Sequence, residues 1–95
     1  MGKKKTEFAA ILQADPANCA VAIRRTTDGF WFVELTVIST GVTDELLTAR
    51  GTAKSWRNLA DAVSFVQATC LGCEQVTLEV GPWNFVRKTE KVTAQ

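Results

Sequence analysis

Ninety-five residues, 46% of them apolar and 22% charged, make one ordinary globular domain: two halves of such a chain could not each bury a core, and the composition excludes intrinsic disorder. The formal charge of +1 conceals an uneven distribution. Lys3, Lys4, Lys5, Arg87, Lys88 and Lys91 lie at the two ends, while between Thr6 and Val86 five bases face nine acids, a net of −4, which argues against a generally phosphate-seeking body.

No apolar run approaches the ~20 residues that span a bilayer, and the N-terminus lacks the apolar stretch of a secretory signal. The expected location is cytoplasmic, with no membrane partner. Residues 1–95 are read as a single domain, with a flexible basic leader at 1–5 and a flexible polar tail at 87–95. From Thr6, the spacing of Phe8, Ile11 and Leu12 predicts a short helix, closed by Asp15-Pro16 because proline disfavours a helical conformation in the residue before it.

Residues 19–26 and 30–38 are β-rich, and Thr27-Asp28-Gly29 between them carries hairpin-turn chemistry. A two-residue loop would waste Val21 and Ile23 on the face opposite Trp31, Val33, Leu35 and Val37. A three-residue turn with Gly29 in a left-handed bulge sets those four beside Arg25, Ile23, Val21 and Cys19 instead, and builds one apolar face. This second register is the expected one.

Residues 39–45 read as a polar loop and 46–52 as a third, weaker strand containing Ala49 and Gly51. Asn58 can cap a helix over 59–71, with Asp61 at its third position and Leu59, Val63, Val66 and Cys70 on one stripe beside Ala62. Gly72 stands where a left-handed cap is usual. Residues 75–80 follow as a fourth strand before Gly81-Pro82, and Trp83, Phe85 and Val86 are expected to dock on the body. The fold class is therefore α+β: a mainly antiparallel sheet of three to four strands with one packed helix, in the order α-β-β-β-α-β.

Histidine and tyrosine are absent, which removes the commonest general base and a common auxiliary acid. Asp44 and Glu45 are expected to be solvated on their loop. Three cysteines cannot all pair within one chain, so reduced thiols are the simpler reading. Cys70-Leu71-Gly72-Cys73 has C-x-x-C spacing, but it falls at a helix C-terminus, where the dipole disfavours a thiolate. For zinc only Cys19 remains as a third thiolate. Cys70 is expected in the core and Cys73 near the cap. No enzyme activity, cofactor, metal site or small-molecule substrate is expected.

The preferred register also defines a second sheet face, carrying Arg24, Phe30, Phe32 and Glu34 from the hairpin with Thr48, Arg50, Thr52 and Lys54 from the third strand. Aromatic and basic side chains on an open face fit either a protein contact surface, including self-association into a homodimer, or a nucleic-acid platform. The acidic body favours the protein partner and leaves nucleic acid as the alternative.

Ala49-Arg50-Gly51, the segment from Ser55 to Val66 and Val76-Thr77-Leu78-Glu79-Val80 resemble the core of small accessory proteins of bacterial plasmids, some grouped with partition-associated proteins. The resemblance implies a mobile-element origin and a non-catalytic accessory role, and it brings no site residues. Three antiparallel strands followed by a helix also look like the arm-type DNA-binding domains of integrases, a likeness of topology alone.

Overall fold

The computed structural model describes residues 2–70 and 72–87. In chain order its elements are β1 (Gly2–Lys4), α1 (Lys5–Ala14), β2 (Cys19–Arg25), β3 (Trp31–Val37), β4 (Val42–Leu47), α2 (Leu59–Thr69), β5 (Gln75–Val80) and β6 (Trp83–Val86). A single turn of 3₁₀ helix, Pro16–Asn18, precedes β2. The six strands form one sheet in the order β1-β4-β3-β2-β5-β6.

The β2–β3 hairpin takes the register that its apolar pattern demands, with Arg25 opposite Trp31, Ile23 opposite Val33, Val21 opposite Leu35 and Cys19 opposite Val37. Gly29 has φ of 90°, and the Gly29 amide donates to the Thr26 carbonyl at 3.1 Å. A turn with a left-handed glycine after it absorbs the odd residue and keeps both apolar sets on one face.

The expectation of a three- to four-stranded, mainly antiparallel sheet with one helix is overturned. β2, β3 and β4 do form an antiparallel meander, but β1 pairs parallel with β4 and β5 pairs parallel with β2. The parallel pairs arise where two strand-helix-strand crossovers interleave. Both crossovers, β1-α1-β2 and β4-α2-β5, step over two strands in the same direction along the sheet. Crossovers of the same hand then put both helices on one face, and the ring of Phe8 in α1 lies 6.5 Å from that of Phe65 in α2. The core is a single cluster that includes Phe8, Leu12, Val21, Ile23, Val33, Leu35, Leu46, Ala62 and Val66.

The strand β1 lies within the segment expected as a flexible leader. Lys4 closes it, and the Lys4 amide donates to Glu7 Oε1 at 3.0 Å across the first turn of α1. Lys3 reaches Asp44 at 3.6 Å.

The third strand is Val42–Leu47 rather than residues 46–52. The Thr48 amide donates to the Thr52 carbonyl at 2.7 Å, and Gly51 turns the chain at φ of 89°. The pairing with β3 begins at the β-branched Val42 and Thr43, opposite Val37 and Thr36, and the Thr36 and Thr43 hydroxyls lie 2.7 Å apart. Asp44 is consequently not a solvated loop residue. It stands opposite Leu35 on the helix side of the sheet and is 5% exposed.

In α2, Asn58 caps as expected, its Oδ1 accepting from the Ala60 amide at 3.0 Å. The helix closes at Thr69, and the expected last position, Leu71, lies outside the described residues. Gly72 does not adopt the left-handed cap conformation. Its requirement is spatial, since a Cβ there would stand 3.3 Å from Pro16 Cβ.

Candidate interaction surfaces

The register assigns every strand residue to a face. Opposite the helices, β2 presents Arg24, β3 presents Phe32 and Glu34, β4 presents Glu45 and β5 presents Glu79. Arg24 Nε lies 3.3 Å from Glu34 Oε1 and 3.2 Å from Glu79 Oε2. Two carboxylates thus engage the one guanidinium and a third, Glu45, stands opposite Glu34, a charge balance that disfavours phosphate.

Of the eight residues expected to share that face, Arg24, Phe32 and Glu34 do so, Arg24 and Phe32 as direct cross-strand neighbours. Phe30 sits half-buried just before β3, with the Arg57 guanidinium 5.6 Å from its ring. Thr48, Arg50 and Thr52 belong to the turn after β4, where the Thr48 and Thr52 hydroxyls lie 2.9 Å apart. Lys54 lies beyond that turn with its ammonium 5.2 Å from the centre of the Trp56 ring. The continuous aromatic and basic face is not formed, because its third strand ends before these residues.

Lys54 instead joins Lys4, Lys5, Leu46, Leu47 and Phe65 around a cleft of about 530 Å³ by the start of α1. Its aromatic lining is Phe65, whose ring lies 5.3 Å from that of Trp56 and 6.5 Å from that of Phe8 behind it.

A second hollow, of about 600 Å³, runs along the helix side of the sheet beyond α2. Its floor is Val76 and Leu78 of β5, its walls are Val63 and Val66 of α2 and Phe85 of β6, and Arg87 stands at its end. It exists because α2 packs over the middle of the sheet, half-covering β5 and leaving β6 exposed. Trp83, Phe85 and Val86, expected to dock, do so through the backbone, and their side chains stay exposed for the same reason. They form an edge strand paired with β5, and are 66%, 52% and 75% exposed. Trp83 and Phe85 stack at 6.4 Å on the helix side. The signal for this strand was present in the sequence, since a two-residue Gly81-Pro82 connection between two β-rich runs is hairpin chemistry.

All three thiols are buried. Cys70 lies in the core, 2% exposed, and burial is the main cause that pushes its thiol up to about 12. Burial also raises Cys19 and Cys73. Cys73 is fully buried; its Sγ donates to the Cys19 carbonyl at 3.3 Å, and the Arg87 guanidinium donates to the Cys73 carbonyl. Thiols held protonated are poor nucleophiles and poor ligands. Among the described residues no group of three or more Cys, Asp or Glu side chains is placed to hold a metal ion, and no helix is long and apolar enough to cross a membrane.

Comparison of the chain with protein-family models, with curated proteins and with solved structures returns no significant match.

Proposed function

We propose that this chain is a non-catalytic binding module that acts through protein contacts, self-association among them. The observation that carries this reading is the concentration of exposed apolar side chains at one end of the sheet. Among the described residues Trp83, Phe85 and Val86 are three of the five exposed large hydrophobic residues; Phe85 and Val86 line the apolar hollow beside α2, and Trp83 stacks on Phe85. Contiguous exposed apolar surface with aromatic anchors is the usual mark of a contact site. The raised thiols and the absence of histidine leave no activated nucleophile or neutral-pH base to assign. The resemblance of the second half of the chain to plasmid accessory proteins supports an accessory role on a bacterial mobile element.

The nucleic-acid reading keeps one observation in its favour, the cleft where Lys4, Lys5 and Lys54 converge. It moves the contact from the centre of the open sheet face to the edge of the sheet at the start of α1. Size-exclusion chromatography with light scattering, followed by a duplex-DNA titration at several salt concentrations, separates the two. The protein-contact reading expects association that depends on protein concentration and little on salt. Tight DNA binding that weakens steeply with salt, with Lys54→Ala lowering the slope by about one unit, supports the alternative instead.

A further inference from the structure

The two edges of the sheet are not equivalent. The β1 edge is three residues long, carries Lys3 and Lys4, and turns at once into α1; charge and brevity are the usual protections of an edge strand. The β6 edge, Trp-Asn-Phe-Val, carries no charge and is exposed along its whole length.

Its backbone is also directed. Antiparallel residues alternate between those that bond to the partner strand and those that face away. Val80 pairs with Trp83, Leu78 with Phe85, and the Arg87 amide donates to the Val76 carbonyl at 2.9 Å. Residues 83, 85 and 87 therefore bond to β5, and the amides and carbonyls of Asn84 and Val86 point outward.

We infer that β6 is the seam of a two-fold dimer, in which it pairs antiparallel with β6 of a second copy of this chain. This deepens the self-association reading and rests on it. An antiparallel edge is self-complementary under a two-fold axis, so one patch serves both partners and the assembly closes. The alternative, β6 against the β1 edge of another copy, must accept the lysine-bearing strand and would propagate without closing.

The register follows from the outward groups. An axis at Phe85 sets Asn84 opposite Val86 of the partner on both sides, and every outward amide and carbonyl of these two residues finds a mate. An axis at Asn84 sets Val86 opposite Pro82, which has no amide to offer the Val86 carbonyl. With the axis at Phe85, the two Phe85 rings meet in a pair without hydrogen bonds, where side chains come closest. The Trp83 rings flank them, making a row of four aromatics on the helix side and joining the two apolar hollows above the seam. A fully buried aromatic covers roughly 150–250 Å², and Trp83 and Phe85 still have 66% and 52% of their surface exposed. With the backbone and Val86, the two copies cover about 1,000 Å², at the low end of specific interfaces. The dimer is therefore weak, dissociating in the micromolar range.

Sedimentation equilibrium over a micromolar concentration series tests this on the wild-type chain, Asn84→Pro, Phe85→Lys and Phe32→Ala, with circular dichroism on each. Proline at 84 removes an outward amide and no hydrogen bond within the chain, and lysine at 85 puts a charge at the axis. Both should weaken the dimer at least tenfold while retaining the fold, and Phe32→Ala, on the opposite face, should leave it unchanged. Hydrogen exchange on the wild type reads the same seam without substitution: the Asn84 and Val86 amides should be protected at high concentration and exposed on dilution. A dimer untouched by Phe85→Lys, with those amides exchanging freely at every concentration, overturns the seam and leaves self-association standing. A wild-type chain that stays monomeric throughout overturns both.

Discussion

The Lys3 ammonium lies 3.6 Å from the Asp44 carboxylate, and this ion pair joins the first strand of the chain to a residue buried on the helix side of the sheet. Removing the lysine leaves a carboxylate with little solvent, whereas replacing both partners with apolar side chains removes the desolvation cost along with the attraction. Lys3 is about one-third exposed, so solvent screens part of the interaction. Lys3→Met should therefore destabilise by about 1–2 kcal/mol in urea unfolding. The double variant Lys3→Met, Asp44→Leu should recover most of that loss. A double variant less stable than Lys3→Met alone would show that Asp44 serves the fold in another way.

Gly29 and Gly72 are both needed, for different reasons, and substitution separates them. At Gly29 the φ of 90° is strained for any L side chain, so Gly29→Val should cost about 1 kcal/mol or more. At Gly72 the conformation is ordinary and only the Pro16 ring is close, so Gly72→Ala should cost less than Gly29→Ala. Equal losses for the two alanine variants in chemical denaturation would contradict the bulge.

Cys70 makes stability fall at alkaline pH. Its thiol titrates near 9.0 when unfolded and at about 12 when folded. The group is raised in the fold, so its contribution is complete below pH 9 and is lost as pH climbs toward 12, because the unfolded chain releases a proton that the folded chain keeps. The slope from this thiol is at most about 1.4 kcal/mol per pH unit. Urea midpoints for the wild type and Cys70→Val, compared across this window, should diverge from parallel, with the valine variant flatter. Identical slopes would remove the thiol as the cause. Thiol reagents at neutral pH should label all three cysteines only at the rate of unfolding.

Phe65 links the two helices to the segment after β4, through Phe8 on one side and Trp56 on the other. It is half-buried, so Phe65→Ala should cost about 2 kcal/mol, less than a fully buried aromatic. Phe85→Ala, on an exposed strand, should change the stability of the monomer by much less. A reversed ranking in thermal melts at low protein concentration would show that β6 contributes more to the core than its exposure indicates.

The sequence alone determined the elements whose signals are local. The β2–β3 register follows from period-two alternation on both sides of a turn that only glycine suits, and α2 follows from its stripe and from Asn58. Strand β5 is bounded by its own β-rich run and by Gly81-Pro82. Tertiary structure decided which strands are neighbours. Alternation says which side of a strand is apolar and nothing about what lies next to it, and closing a longer loop costs little more than closing a shorter one. Hence β5 could join β2 in parallel, and Gly2–Lys4 could join β4, with no mark of either in the sequence. Those pairings put both helices on one face and made β1 and β6 the edges. They gathered carboxylates around Arg24 on the open face, buried Asp44, carried Lys54 to the edge by the start of α1 and left Trp83, Phe85 and Val86 exposed. The aromatic and basic face expected from the sequence failed at its third strand, where Gly51 and the Thr48 hydroxyl favour a turn over a continued ladder. The position of the candidate contact surface is a consequence of strand order, which arises between segments distant in the chain.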